Sequence, residues 1–188
     1  MVRKSVKVVV AGGFGTGKTT LVGSVSEIPP LTTEEVLTQA SIGVDDLAGV
    51  EEKTTTTVAL DFGRITIDAD IVLYVFGTPG QDRFWFMWDE LAQGAIGAIV
   101  LVDTRRLDAS FPAIDYFERR RIPFVAAVNT FFGERLYSED EIRAALKLNP
   151  VAPLVWCDAR DRYSSKQALI KLVQHAMSQL PAAVQSSV

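Results

Sequence analysis

The chain has a single cysteine, Cys157, so no disulfide can close within it. It also has a single histidine, His175, set in a helical pattern near the C-terminus. One Cys and one His in separate settings do not make a zinc site. No apolar run approaches the roughly 20 residues that a membrane-spanning helix needs. No secretory leader or terminal lipidation motif is visible, which together with the lone cysteine predicts a reducing, cytoplasmic setting. Basic clusters are scarce as well. The net charge is −4, and the one dense basic run, Arg119-Arg120-Arg121, falls where a helix ends and cations suit its dipole. That balance argues against nucleic acid or an anionic membrane as the main partner, because both reward clustered Lys and Arg. No repeat, low-complexity linker or composition shift divides the 188 residues, so one domain over residues 1–188 is expected, with 181–188 as a short tail.

What is present is an alternation of strand and helix patterns. Val6 to Ala11 is an apolar, β-branched run broken by glycines, and Lys18 to Ser26 after it has helical character. Pro29-Pro30 forbids that helix to continue. Thr57 to Ile67 and Ile71 to Phe76 read as two strands joined at Asp68-Ala69-Asp70. Helical patterns follow over Asp82 to Gln93, Leu107 to Arg120, Ser138 to Leu148 and Ser164 to Leu180. Between them lie strands over Ala95 to Val102, Pro123 to Val128 and Pro153 to Cys157. Ser138 with Glu141 three residues on is a capping-box signature. Six strands alternating mostly with helices predict an α/β fold whose largely parallel sheet is covered on both faces.

Gly12-Gly13-Phe14-Gly15-Thr16-Gly17-Lys18-Thr19 fits the spacing G-x-x-x-x-G-K-[ST] between a predicted strand and a predicted helix. A backbone that wraps an anion with its N–H groups inward needs dihedrals that only glycine adopts cheaply. The helix that follows offers free N–H groups and a positive dipole end. Lys18 supplies a point charge for the β- and γ-phosphates, and the Thr19 hydroxyl can ligate Mg²⁺. The motif by itself specifies phosphate binding and leaves GTP or ATP open.

Later segments narrow the class. Gly77-Thr78-Pro79-Gly80-Gln81 resembles the D-x-x-G-Q segment of Ras-like small GTPases. Thr57-Val58-Ala59-Leu60-Asp61-Phe62 looks like the T-x-x-x-D-F that opens their second strand. Asn129 ends a strand as the Asn of N-K-x-D does, and Cys157-Asp158-Ala159-Arg160 stands where their S-A-K loop stands. The resemblance spans residues 6 to 180 and implies a P-loop NTPase of Ras-like, three-layer architecture. It further implies that Gly80 meets the γ-phosphate, Gln81 orients the attacking water, and Thr57 (or Thr56 in the same run) joins Thr19 on Mg²⁺. The nucleotide, GTP or GDP, is then expected against Gly12 to Thr20, Gly80, Asn129, Phe131, Asp158, Ala159 and Arg160, with Lys18 and Gln81 in catalysis. Within the superfamily the chain is most similar to the GTPases of bacterial conservon operons, on Gly12 to Thr20, Val58 to Gly63, Phe76 to Phe84 and Cys157 to Arg160. It is similar also to bacterial polarity GTPases that pair with roadblock proteins. Those likenesses imply a switch working beside roadblock-fold and sensor-kinase-like partners, and its intrinsic turnover is expected to be slow because no residue stands out as an arginine finger in cis.

Two positions depart from the pattern. Gly77 stands where the D-x-x-G carboxylate holds Mg²⁺ through water, so either metal binding is weaker or Asp103 or Asp61 substitutes. Phe132 stands where an Asp accepts two guanine hydrogen bonds, a loss on the order of 2 to 5 kcal/mol of discrimination. Thr130 replaces the Lys of that motif. Phe131 can stack on the base or simply pack, and Glu134 or Asp158 can supply the carboxylate from elsewhere. Asp103, ending Ile99 to Val102, reads as a plain strand end, like the V-D-S/T of Arf-type small GTPases that holds no metal, or as a Walker-B-like acid. Arg83 reads as a surface residue or as an arginine finger. Phe84-Trp85-Phe86-Met87-Trp88 reads as core or as a partner surface. These departures keep two rivals in view: an ATP-dependent P-loop enzyme and a non-catalytic nucleotide-binding scaffold.

Overall fold

Strand β1 (Lys4–Ala11) shows why its sequence is apolar at every position of its second half. Successive strand residues point to opposite faces of a sheet. Val8 and Val10 pack among Leu21, Val22, Leu169 and Leu172, which belong to helices α1 (Lys18–Val25) and α5 (Arg162–Ser178). Val9 and Ala11 pack among Trp88, Ile114 and Phe117, carried by α2 (Phe86–Ala92) and α3 (Phe111–Arg120). The same split runs through β5 (Gly97–Val102) and β6 (Phe124–Asn129), whose residues are all buried. Helices cover both faces of the sheet, and the strands therefore read as continuous apolar runs.

The computed structural model describes residues 4–29, 31–37, 56–80, 84–131, 133 and 135–179. Within them the remaining strands are β2 (Leu31–Leu37), β3 (Thr56–Thr66), β4 (Ile71–Gly77) and β7 (Leu154–Cys157). The sheet order is β2-β3-β4-β1-β5-β6-β7. The β2–β3 and β3–β4 pairs are antiparallel, and the other four are parallel. All six expected strands are present. The seventh, β2, falls in the stretch 27–56 that carries no strand pattern: Leu-Thr-Thr-Glu-Glu-Val-Leu has no apolar run, and an edge strand with one neighbour needs none.

Helix boundaries shift from expectation for local reasons. α2 begins at Phe86, with 81–83 outside the described residues. The pattern from Leu107 opens as a 3₁₀ turn, Leu107–Ser110, before α3 begins with a proline in its first turn. There the missing N–H has no intrahelical partner to lose. α4 (Glu139–Leu146) carries both halves of the capping box between Ser138 and Glu141. Asp161 caps α5 by accepting from the Ser164 N–H, so that helix starts earlier than Ser164. No helix among the described residues is long and apolar enough to cross a membrane.

The five parallel strands end together at Ala11, Gly77, Val102, Asn129 and Cys157. β1 lies between β4 and β5, where successive connections run to opposite sides. A ligand crevice forms at such a reversal, outside the carboxyl ends of the strands.

Candidate functional site

The loop from Gly12 to Gly17 occupies that crevice. Gly12 and Gly17 have φ of 140° and 101°, the region that favours glycine. Space makes the same demand. A methyl carbon on Gly12 would lie 2.6 Å from the Leu101 carbonyl oxygen, and one on Gly17 would lie 2.7 Å from Asn129 Nδ2. Thr16, fully buried, donates its hydroxyl to the Gly13 carbonyl at 3.0 Å and ties the loop to itself. Gly17 caps α1 without a side chain, and no acidic residue sits in the first turn. The N–H groups at that end are thus left for an anion. Thr20 is exposed on the same turn.

Lys18 folds back over the loop. Its Nζ donates to the carbonyls of Gly12 at 2.9 Å and Gly13 at 2.6 Å. Burial pushes its pKa down to about 8, and the charge of Asp61 partly opposes the fall. Thr19 donates its hydroxyl to Asp61 Oδ2 at 2.6 Å. Asp61 is buried on β3, directly opposite Gly77 of β4. A methyl carbon on Gly77 would lie 2.9 Å from Asp61 Cβ and 3.0 Å from its Oδ2. The carboxylate therefore stands in the space that a side chain at position 77 would claim. Asp103 is differently employed. Arg105 grips both its oxygens, Nε to Oδ1 and Nη2 to Oδ2 at 2.8 Å each, and holds its pKa below the usual carboxylate range. Of the two acids offered as substitutes, Asp61 is the one brought to Thr19.

Gly80 completes the phosphate side. A methyl carbon there would lie 2.6 Å from Lys18 Nζ and 2.9 Å from Phe14 Cα. The Thr78 hydroxyl beside it is buried with no hydrogen-bond partner among the described residues. Gln81 and Arg83 lie outside the described residues. The backbone of Thr57 stands four residues of extended strand before Asp61, about 13 Å at 3.3 Å per residue. The side chains of Thr56 and Thr57 lie outside the described residues.

On the other side, Asn129 is a staple. Its Nδ2 donates to the Thr16 carbonyl at 2.9 Å, and its Oδ1 accepts from the Ala159 N–H at 3.2 Å. It joins the phosphate loop to the β7–α5 loop. Asp158 is engaged by Arg160, Nε to Oδ1 at 3.0 Å and Nη2 to Oδ2 at 2.8 Å, which holds its carboxyl below the usual range. Phe131 lies beneath the Arg105 guanidinium, 4.1 Å from its ring centroid. Phe132 and Glu134 lie outside the described residues.

Sequence reasoning passed over the turn after β5. Ala109 packs on Gly13, where a methyl carbon would lie 2.7 Å from Ala109 Cβ, and Arg106 donates to the Phe14 carbonyl at 2.6 Å. The adjacent pair Arg105-Arg106 just past an apolar strand was the available signal. The aromatic segment divides. Phe84, Met87 and Trp88 are buried, with Trp88 against Tyr116 and Phe117, whereas Trp85 and Phe86 are exposed.

The strand order, the glycine loop on β1 and the lysine folded over it define a P-loop protein of Ras-like, G-domain architecture. The G domain of the T. maritima FeoB iron transporter shares that fold, with a TM-score of 0.61 at 17% identity over 92% of this chain and 99% of that one. A family model described as "conserved hypothetical ATP binding protein" matches residues 10–179, and the chain belongs to that family. The uncharacterized protein MJ1339 of Methanocaldococcus jannaschii is 33% identical over 131 residues, 69% of this chain and 72% of that protein.

Proposed function

We propose that this protein binds a nucleoside triphosphate with Mg²⁺ and hydrolyses it slowly, as a two-state switch whose nucleotide is GTP. The observation that carries the reading is the meeting of Lys18, Thr19, Asp61 and Gly80 at the end of the glycine loop. Lys18 exchanges its bonds to the Gly12 and Gly13 carbonyls for phosphate oxygens, and the free N–H groups of α1 take the rest of the charge. Hydroxyl and carboxylate oxygens suit a hard cation, so Thr19 and Asp61 fit Mg²⁺. The ion would neutralise charge on the outer phosphates. Gly80 sits close enough to Lys18 for its backbone to sense a terminal phosphate, and Gln81 beside it orients the water. Thr57 joins the site only when the start of β3 folds back, which gives the switch its second state. Bacterial conservon-type signalling, with roadblock-fold and sensor-kinase-like partners that distinguish the two states, is the setting the motif resemblance suggests.

A second reading has its own support. Phe132 in place of the base-reading acid, Asp158 already held by Arg160, and the family's description favour ATP. Titration of the purified protein with GTP, GDP, ATP and ADP in Mg²⁺ separates the two. The switch reading expects guanine nucleotides to win by tenfold or more, about 1.4 kcal/mol. Equal or tighter adenine binding overturns the guanine choice and leaves the ATP-dependent reading. A non-catalytic scaffold instead captures partners equally in its diphosphate and triphosphate forms.

A further inference from the structure

The turn that follows β5 is built onto the outer side of the phosphate loop. Asp103, 1% exposed, closes the turn by accepting the Arg106 N–H at its backbone carbonyl, 3.0 Å away, and Arg106 in turn accepts the Ala109 N–H at 3.1 Å. Ala109 then packs against Gly13: a methyl carbon on Gly13 would lie 2.7 Å from Ala109 Cβ and 3.1 Å from its carbonyl oxygen. From this turn the Arg106 side chain reaches the phosphate loop. Its Nη2 donates to the Phe14 carbonyl at 2.6 Å and lies 3.3 Å from where a methyl carbon on Gly15 would be.

Two features make this guanidinium more than a strap. Its charge is not closely matched. The Asp103 carboxylate is 4.0 Å from Arg106 Nη2, but Arg105 already takes both of its oxygens at 2.8 Å. Among the described residues, one carbonyl is then the hydrogen-bond partner of a group with five donors, half of whose side chain is exposed. Its position is also particular. The Phe14 backbone that it holds abuts Gly80, and Gly80 abuts Lys18 Nζ. Arg106 therefore stands on the outer side of the loop, beside the Phe14 segment that Gly80 and Lys18 approach from the other side. A neutral carbonyl is a weaker partner for guanidinium than a phosphate oxygen.

We propose that Arg106 is an arginine acting in cis on the transferred phosphoryl group, leaving the Phe14 carbonyl for a phosphate oxygen as the reaction proceeds. The inference rests on the reading that the protein hydrolyses a nucleoside triphosphate. In that reaction the water oxygen forms a bond to the terminal phosphorus, and the bond from phosphorus to the bridging oxygen breaks. The electron pair stays with the diphosphate, and the proton released by water leaves with inorganic phosphate or to solvent. Negative charge grows on the bridging and terminal oxygens, and a guanidinium that moves from a neutral carbonyl onto them stabilises that charge.

The test compares the full chain with Arg106→Ala and Arg106→Lys in single-turnover hydrolysis. Di- and triphosphate affinities are measured in parallel, as is capture of aluminium fluoride by the diphosphate complex. The expected result is a fall of about 100-fold or more in the rate of the bound complex for Arg106→Ala, with partial recovery in Arg106→Lys. Affinities for both nucleotides stay within about threefold, which also shows that the variants fold, and aluminium fluoride capture is lost. A rate within threefold of the parent overturns the proposal. So does equal weakening of both affinities with an unchanged bound-state rate, the outcome for a residue that merely braces the loop. If the parent itself does not hydrolyse, the switch reading fails, while aluminium fluoride still reports on Arg106. Capture by the parent and not by Arg106→Ala supports the role, and equal capture or none overturns it.

Discussion

Lys18 is the residue whose chemistry carries a pH signature. In the nucleotide-free protein burial brings its pKa from 10.5 to about 8. Phosphate oxygens favour the ammonium form and raise that value again on binding. Affinity is therefore level below pH 8 and falls by up to about tenfold per unit above it, until the bound-state pKa is reached. Near pH 8 binding takes up protons, visible as a buffer-dependent enthalpy in calorimetry; a flat profile up to about pH 9.5 with no proton uptake contradicts this placement of Lys18. Stability of the nucleotide-free fold has the opposite sign. Between about 8 and 10.5 the unfolded chain holds the proton that the folded chain has lost, so stability rises with pH there. The placement of Lys18, Thr19 and Gly80 at one point was legible in the sequence because short, contiguous motifs carry it. Asp61 was legible only as one of two possibilities. Its position depends on the register that sets it opposite Gly77, and register is a property of two strands and not of either alone.

An element end matched expectation where its cap was recognised in the sequence. Ser138 and Glu141 cap α4 as their spacing demands, and Ser138→Ala is expected to cost about 1 kcal/mol, seen as a lower chemical-denaturation midpoint at unchanged slope. A variant as stable as the parent would show that the box contributes nothing here. Elements set by their neighbours were harder to read. β2 exists as an edge partner of β3 and has no apolar pattern of its own. The 3₁₀ turn Leu107–Ser110 matches a helical pattern in sequence, yet its contact with Gly13 makes it part of the phosphate site. The aromatic segment at α2 offered core and surface as alternatives, and the helix takes both. Trp88 and Met87 turn inward, while Phe86 stays 64% exposed.

At the scale of the whole molecule, one edge of the sheet gathers the chemistry. The loop after β1, the ends of β4 and β5, and the loops after β6 and β7 arrive there because those strands are parallel. Asn129 then bonds the first of these loops to the last. The alternation of strands and helices made this architecture readable, since a parallel sheet admits few connections. What the alternation could not supply was which carboxylate meets Thr19: Asp61 on β3 stands in the space that a side chain at Gly77 of β4 would claim, and it is the carboxylate we propose for the metal. The direct test is the Mg²⁺ dependence of triphosphate affinity in the parent and in Asp61→Asn, which keeps the size of the side chain and removes its charge. Mg²⁺ should tighten binding to the parent by about tenfold or more, or 1.4 kcal/mol. Asp61→Asn should lose most of that gain while its affinity in EDTA stays within about threefold. An equal Mg²⁺ gain in both proteins would contradict the assignment of Asp61.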